Sequence, residues 1–148
     1  MRVNCEPHDG YGFERAFYGL ASIDVDSRLR CHRVSSLHDG IRRVMGCQYL
    51  LDWNPKRPKT ELARCLFRRV ASRLCHGGKD LRLFSAIGTI VDAMGVDGFF
   101  LFNDRIVTID LTVSRGKDSP RAHLILTREN FVRDQHYRIG DWIARALS

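Results

Sequence analysis

The chain of 148 residues is 44% hydrophobic and 28% charged, which is typical of one globular domain with a buried core. Its longest strongly apolar run, residues 96–102, is far shorter than the roughly 20 residues of a membrane-spanning helix, and the N-terminus lacks an apolar signal core. The formal net charge of +7 favours a polyanionic partner over a merely solvated surface. We therefore expect a single cytoplasmic domain over residues 1–148 that binds nucleic acid and no membrane.

Cysteine usage indicates a reducing compartment. The five cysteines are odd in number and have no close pairing, so we interpret them as reduced thiols. A zinc site built from Cys31, His32, His38, Cys75 and His76 is the alternative. The sequence has no Cys-x-x-Cys pair, however, and adjacent Cys and His residues rarely bind one ion.

Two short helices are predicted in the N-terminal extension, residues 1–55. Phe13 and Phe17 recur at helical spacing, and the helix that they predict carries Glu14. Further along the chain, Ser36 is a suitable N-cap for a second helix. We therefore expect a helical extension ahead of the core.

The predicted core, residues 56–148, begins with an amphipathic helix that has a basic outer side. Thr60 follows a proline-rich break and is a suitable N-cap. The residues that share the apolar side, at about 100° per residue, are Ala63, Leu66, Phe67, Val70, Ala71 and Leu74. The basic residues on the other side and just before the helix, which we predict to bind nucleic acid, are Arg64, Arg68, Arg69, Arg73, Lys56 and Arg57.

A second core helix is predicted over residues 81–94. Leu83, Ile87 and Met94 follow the helical period of about 3.6 residues, and Asp80 precedes them as a suitable N-cap. We expect this helix to lead directly into the sheet.

A hairpin and a third strand follow. Residues 96–102 and 105–114 are rich in Phe, Val, Ile and Thr, and only Asn103-Asp104 separates them, which predicts a two-residue β-turn. Residues 121–127 predict a third strand, and residues 136–147 a final helix. The buried face predicted for that helix is formed by Ile139, Trp142, Ile143 and Ala146. The expected fold is mixed α/β: a helix, a three-stranded hairpin sheet and a helix, preceded by the N-terminal helical extension.

The register of the hairpin brings two carboxylates together. If Asn103-Asp104 forms the turn, Phe102 pairs with Arg105 and Asp97 lies opposite Asp110. Like charges in opposite positions destabilise a sheet by roughly 0.2–1 kcal/mol, and Mg²⁺ or Mn²⁺ bound to both carboxylates would compensate. The alternative is that Asp97 only follows a helix stop and that Asp110 caps a turn or pairs with an arginine.

The order of helix, strand with Asp97, strand with Asp110-x-Thr112, third strand and helix, over residues 80–148, resembles the core of the PD-(D/E)XK (restriction-endonuclease-like) nuclease superfamily. The resemblance implies that Asp97 and Asp110 bind the metal and that a lysine two residues after Asp110 positions the attacking water. Thr112 occupies that lysine position, and no proline precedes Asp97. The resemblance therefore implies Lys117, from the following turn, as the substitute catalytic lysine.

The resemblance also implies a function, namely a metal-dependent endonuclease that hydrolyses phosphodiester bonds of DNA or RNA with Mg²⁺ or Mn²⁺. In that superfamily a helical Glu or His commonly completes the metal shell, and the candidates here, with Thr112 as a further neighbour, are Glu14, Glu61 and His76. Many such nucleases are dimers, so a homodimer or larger complex is expected. The alternative function is a non-catalytic, basic nucleic-acid-binding protein on a degenerate nuclease fold, and a third class is a protein-interaction factor with an acidic partner.

Overall fold

A four-stranded mixed sheet is the centre of the fold in the computed structural model. The residues that the structure describes are 10–19, 36–112, 122–127, 131 and 136–148. The helices are α1 (Gly10–Tyr18), α2 (Leu37–Met45), α3 (Glu61–Ser72), α4 (Ile90–Ala93) and α5 (His136–Leu147). The strands are β1 (Arg82–Ser85), β2 (Gly98–Phe102), β3 (Arg105–Thr112) and β4 (Leu124–Thr127). The mixed α/β class predicted from the sequence is confirmed.

The sheet is a meander of three strands with a fourth strand added in parallel. Its spatial order is β1-β2-β3-β4, in which β1, β2 and β3 pair antiparallel and β4 pairs parallel with β3. The predicted third strand is confirmed as β4, although it is shorter than residues 121–127. The prediction of three strands is wrong, because β1 forms within the segment that the sequence predicts as a helix.

The helix predicted over residues 81–94 is replaced by a strand and one short helix. Arg82 to Ser85 form β1, with Leu83 paired to Phe100, and α4 covers only Ile90–Ala93. Short apolar runs fit a helix or a buried strand equally well, so pairing with β2 decides the outcome. Gly88, at a φ of 78°, separates the two elements with a left-handed turn.

The predicted hairpin between β2 and β3 is confirmed. Asn103 and Asp104 have φ angles of 47° and 66°, the left-handed pair that a two-residue turn of the favoured twist requires. Phe102 pairs with Arg105, and the register continues to the pair Gly98 and Ile109. The alignment of the two strands up to Gly98 and Ile109 is therefore the one that the turn predicts.

The strand residues alternate between two apolar clusters on opposite faces of the sheet. The main cluster contains α1, α3 and α5, and its strand residues are Leu83, Phe100, Phe102, Val107, Ile109, Leu111 and Leu126. The second cluster contains Ile41 and Val44 of α2 and Val91 of α4, packed on Phe84 and Phe99. Because Phe13 and Phe17 of α1 lie in the main cluster, part of the predicted N-terminal extension is built into the core.

The helix caps predicted at Ser36 and Thr60 are confirmed, whereas the cap predicted at Asp80 is wrong, because a strand follows it and Thr89 caps α4. The Ser36 hydroxyl accepts a hydrogen bond from the Asp39 amide at 3.2 Å, and the Thr60 hydroxyl accepts one from the Ala63 amide at 3.3 Å. Thr60 also donates to the carbonyl oxygen of Phe17, which joins α3 to α1. None of the described helices is long and apolar enough to cross a membrane.

The final helix is confirmed, but its predicted buried face is partly wrong. Trp142 is 39% exposed and Ala146 is exposed, whereas Gly140, Ala144 and Leu147 are buried with Ile143. A Cβ at Gly140 would lie 2.5 Å from Cγ of Arg69, so α5 approaches α3 closely through its small residues. This close approach turns the large Trp142 side chain away from the core.

Substitution Gly98→Ala is expected to destabilise the fold by about 1–3 kcal/mol, as overpacking does. A Cβ at position 98 would overlap the Tyr18 hydroxyl and would lie 2.5 Å from the Phe84 carbonyl oxygen. Urea unfolding followed by tryptophan fluorescence measures the change in unfolding free energy.

Gly46→Ala is the matched control. Gly46 has a φ of −79°, and an added Cβ would meet the Arg43 carbonyl oxygen at 3.6 Å, an ordinary van der Waals contact. We expect this variant to be unchanged or slightly more stable. Equal unfolding free energies for the two alanine variants would contradict the described contact of Tyr18 with Gly98.

Candidate functional site

Four carboxyl groups converge where β2 begins. Oxygen atoms of Glu14, Asp92 and Asp97, one from each, all lie within 4.8 Å of one another. The carboxyl of Asp110, in β3, is close enough to Asp97 to help raise the pKa of Asp97. Asp97 and Asp110 are buried, and Glu14 and Asp92 are half-buried. We refer to these four residues as the acidic cluster.

The main chain around Asp97 holds its carboxyl against β3. The Asp97 amide donates to the Ile109 carbonyl at 2.9 Å, and the Asp97 carbonyl accepts from the Ala86 amide at 2.8 Å. Its Oδ2 accepts a hydrogen bond from the Leu111 amide at 2.6 Å. The regular pairing of β2 with β3 ends at Gly98 and Ile109, and the Asp97 amide bonds to that same Ile109 instead of continuing the ladder. The bonds to Ile109 and Leu111 hold Asp97 against β3, close to Asp110.

A tight turn returns the chain from Asp92 to Asp97. The Thr89 hydroxyl accepts from the Val91 amide at the start of α4, and Gly88 donates its amide to Oδ2 of Asp92 at 2.8 Å. Gly95, at a φ of 89°, then reverses the chain and donates its amide to the Asp92 carbonyl. Asp92 is absent from the residues predicted for the site, because the sequence pattern places it in a continuous helix. Its position three residues before Gly95, a residue suited to a chain reversal leading to Asp97, was the signal in the sequence that could have identified it.

Crowding of like charges makes full ionisation of the cluster unfavourable. Burial raises the pKa of Asp97 to about 10, with further contributions from a hydrogen bond to Asp92, the charge of Glu14 and a hydrogen bond to Asp110; the Leu111 amide opposes the shift. Either a shared proton or a bound cation relieves this repulsion. Four oxygen donors of this kind are suited to hold a hard divalent cation.

Tyr18 orients the helix that carries Glu14. It lies one helical turn after Glu14 and donates its hydroxyl hydrogen to the Phe84 carbonyl at 3.1 Å. Burial raises the pKa of Tyr18 well above its ordinary value, and the charges of Asp97 and Glu14 raise it further. Tyr18 therefore stays a neutral donor that ties α1 to the sheet beside the acidic cluster.

The remaining candidates from the sequence have different outcomes. Thr112 is buried at the end of β3, two residues after Asp110 and hence on the same side of the strand. Lys117 lies outside the described residues, so its role stays a prediction. Glu14 is the helical acid that the structure brings to Asp97.

Glu61 and His76 are not brought to the cluster. Glu61 is exposed in the first turn of α3, where it pairs with Arg64 at 3.3 Å. His76 is exposed in a left-handed conformation and lines a cavity with Phe102 and Asn103, at the turn end of the hairpin. Asp97 lies at the other end of β2, so assigning His76 to the site was wrong.

Two of the predicted nucleic-acid-binding arginines hold helices together. Arg69 contacts Asp141 of α5 through two hydrogen bonds of 2.8 and 3.0 Å, and Arg73 contacts the same carboxylate at 3.0 Å. The hydrogen bond from Arg69, followed by that from Arg73, lowers the pKa of Asp141. Arg69 also lies 4.7 Å from the ring centre of Tyr137. Its main contacts are therefore within the protein, which the prediction did not anticipate.

The other predicted basic residues remain at the surface. Arg64 is exposed and pairs with Glu61. The further exposed members of the set are Arg68, Lys56 and Arg57.

A scan against protein-family models matches no family, and searches of curated proteins and of solved structures find no similar protein. Function is therefore inferred from the acidic cluster, the sheet that builds it and the surface charges.

Substitution Asp97→Asn is expected to stabilise the protein in metal-free buffer by about 1–3 kcal/mol at about pH 8. The side-chain oxygen of asparagine still accepts the hydrogen bond from the Leu111 backbone amide. Its NH2 group donates to a neighbouring acid at every pH, as the protonated Asp97 carboxyl does. In the folded protein the pKa of Asp97 lies near 10, against 3.8 ordinarily. The stability due to this proton is therefore present below the ordinary pKa and is lost as the pH rises towards 10.

Thermal unfolding of both proteins from about pH 5 to about pH 8 measures this linkage. The wild-type protein should lose stability relative to Asp97→Asn as the pH rises. Asp104→Asn, an exposed turn position where Asn tolerates positive φ equally well, is the control and should change little. A destabilised Asp97→Asn protein with unchanged pH dependence would show that the carboxyls do not repel one another as described.

Proposed function

We propose that this protein is a metal-dependent nuclease that hydrolyses phosphodiester bonds of DNA or RNA. The observation that carries the proposal is the convergence of Glu14, Asp92, Asp97 and Asp110 at one end of the sheet. Buried like charges destabilise a fold, so a cluster of this kind is expected where a cation or a reaction requires it. The net charge of +7 for the whole chain suits a polyanionic substrate.

We also propose that the fold is a restriction-endonuclease-like core. Three features support this assignment: an acid at the start of β2, a second acid in β3 on the adjacent strand, and a glutamate on a helix packed beside them. The first two match the motif on which the resemblance depends, and Glu14 is a helical acid of the kind that completes the metal shell.

The donor set fits Mg²⁺ or Mn²⁺, since each ligand candidate offers carboxylate oxygen. We propose Asp97 and Asp110 as the primary ligands, with Glu14 and Asp92 completing the set. A bound divalent ion supplies Lewis acidity towards a phosphate oxygen and lowers the pKa of a bound water.

The protein's own residues orient these groups. The Leu111 amide fixes the direction of the Asp97 carboxylate, and the Thr112 side chain lies on the same side of β3 as Asp110. Lys117 is proposed to stabilise the charge that develops on the phosphate. Exposed Arg68, Lys56 and Arg57 are proposed to bind the nucleic-acid backbone.

Thr112 favours one other candidate function, a non-catalytic nucleic-acid-binding protein. This buried residue occupies the position where the nuclease motif has a lysine, and a threonine cannot supply the positive charge. Such a protein would bind nucleic acid with steep salt dependence, and neither metal nor the substitution Asp97→Asn would change the affinity.

The nuclease proposal predicts Mn²⁺-dependent cleavage of single-stranded or duplex DNA or RNA that Asp110→Asn reduces about 100-fold or more, because a charged metal ligand becomes neutral. Gel analysis of labelled substrates measures the rate, and circular dichroism verifies the fold of the variant. Glu61→Gln removes an exposed carboxylate outside the cluster and should cleave at the wild-type rate.

Metal binding is measured separately from cleavage by thermal shift. Mn²⁺ at about 100 times its dissociation constant should stabilise the wild-type protein by about 2.7 kcal/mol. Asp97→Asn and Glu14→Gln should lose most of this increase, and Glu61→Gln should keep it. Metal binding without cleavage of any substrate would refute the nuclease, whereas the absence of both would also refute the metal site.

A further inference from the structure

The outer face of α5 combines one large aromatic side chain with two arginines. At about 100° per residue, Arg138, Trp142 and Arg145 lie within about 60° of one another, and all three are exposed. The residues on the opposite, buried side of this helix are Gly140, Ile143, Ala144 and Leu147. The aromatic-basic face is therefore directed away from the core.

Exposure of Trp142 contrasts with the other tryptophan of the chain. Trp53 is 5% exposed and donates its indole hydrogen to the Leu83 carbonyl at 2.8 Å, whereas Trp142 is 39% exposed. An exposed indole between two guanidinium groups has a flat apolar face and a positive surrounding. This combination suits a planar, negatively charged partner.

A second exposed aromatic side chain, about 140° around α5 from Trp142, lies on the flank that faces α3 and is not part of the aromatic-basic face. Tyr137 is 46% exposed, stacks on His136 at 4.4 Å between ring centres, and contacts the Arg69 guanidinium. Arg69 is itself held by Asp141, so the Tyr137 ring is supported on one side by a fixed cation. The ring borders a surface cavity of about 310 Å³ lined by Cys65, Arg68, Arg69, Ser72, His136 and Tyr137.

We propose that the aromatic-basic face of α5, formed by Arg138, Trp142 and Arg145, binds single-stranded nucleic acid. An unpaired base stacks on Trp142, and phosphates contact Arg138 and Arg145. Bases within a duplex are stacked on one another and present only their edges, so flat exposed rings favour unpaired strands. That the partner is a nucleic acid rests on the proposed function. The face of α5 adds that this nucleic acid has a single-stranded segment.

The test is direct binding in EDTA, where no metal-dependent cleavage occurs. An unlabelled oligothymidylate of about 12 nucleotides, within the usual range for such sites, should saturably quench the emission of exposed Trp142, while buried Trp53 keeps its emission. Fluorescence anisotropy with a labelled strand should show about 5- to 100-fold weaker binding for Trp142→Ala, since one base–aromatic stack is lost.

Matched variants separate stacking from folding and charge. Trp142→Phe keeps a ring and should bind within about threefold of the wild-type protein. Tyr49→Ala removes an aromatic side chain that is 77% exposed elsewhere, on the 3-10 turn Gln48–Leu51, and should bind like the wild type. Arg138→Gln should weaken binding and reduce its salt dependence.

Three results would overturn the inference. The first is an unchanged affinity of Trp142→Ala for the single strand. The second is equal affinity and equal quenching with a duplex of the same length. The third is a dimer in sedimentation that Trp142→Ala dissociates while its affinity for the strand is unchanged.

Asp110→Asn separates binding at α5 from the nuclease proposal. If that variant and the wild type both bind the strand in EDTA but neither protein cleaves with Mn²⁺, the nuclease is refuted and binding at α5 is supported. If the wild type cleaves with Mn²⁺ while Trp142→Ala binds and cleaves as the wild type does, the nuclease is supported and binding at α5 is refuted.

Discussion

The backbone register between β2 and β3 is the constraint on which the site depends. Asn103 and Asp104 adopt left-handed conformations at little cost, which permits a two-residue turn and sets the pairing of every residue along the two strands. A slip of one residue would turn Asp110 to the opposite face of β3. The register ends at Gly98 and Ile109, and just beyond it Asp97 bonds to Ile109 and accepts the Leu111 amide, which keeps its carboxyl close to Asp110.

This arrangement concentrates negative charge in a protein that is positive as a whole. The acidic cluster draws one residue from α1, one from α4, one from the start of β2 and one from β3, so the repulsion acts between elements that the apolar core holds together. Local destabilisation of this kind is typical of functional sites, where the surrounding structure supplies the compensating stability. The Tyr18 hydroxyl contributes by joining α1 to β1 close to the cluster.

The basic residues have more than one role. Arg69 and Arg73 neutralise Asp141 and hold α3 against α5, and the small residue Gly140 permits the close approach of the two helices. That approach in turn leaves Trp142 outside the core. One packing interaction thus engages two of the predicted binding arginines with Asp141 and leaves an aromatic ring exposed beside other cations.

Local chemistry in the sequence determined the caps at Ser36 and Thr60, the final helix and the turn at Asn103-Asp104, because each depends on the conformational preferences of neighbouring residues. The turn also determined the pairing of β2 with β3 as far as Gly98 and Ile109, which brings Asp97 near Asp110, since register follows from turn length. Only the tertiary structure decided that residues 82–85 form a strand, because their apolar pattern fits either period until β2 pairs with them. It also decided that Glu14 and Asp92 join the acidic cluster while Glu61 and His76 do not, since packing between distant segments sets which side chains meet.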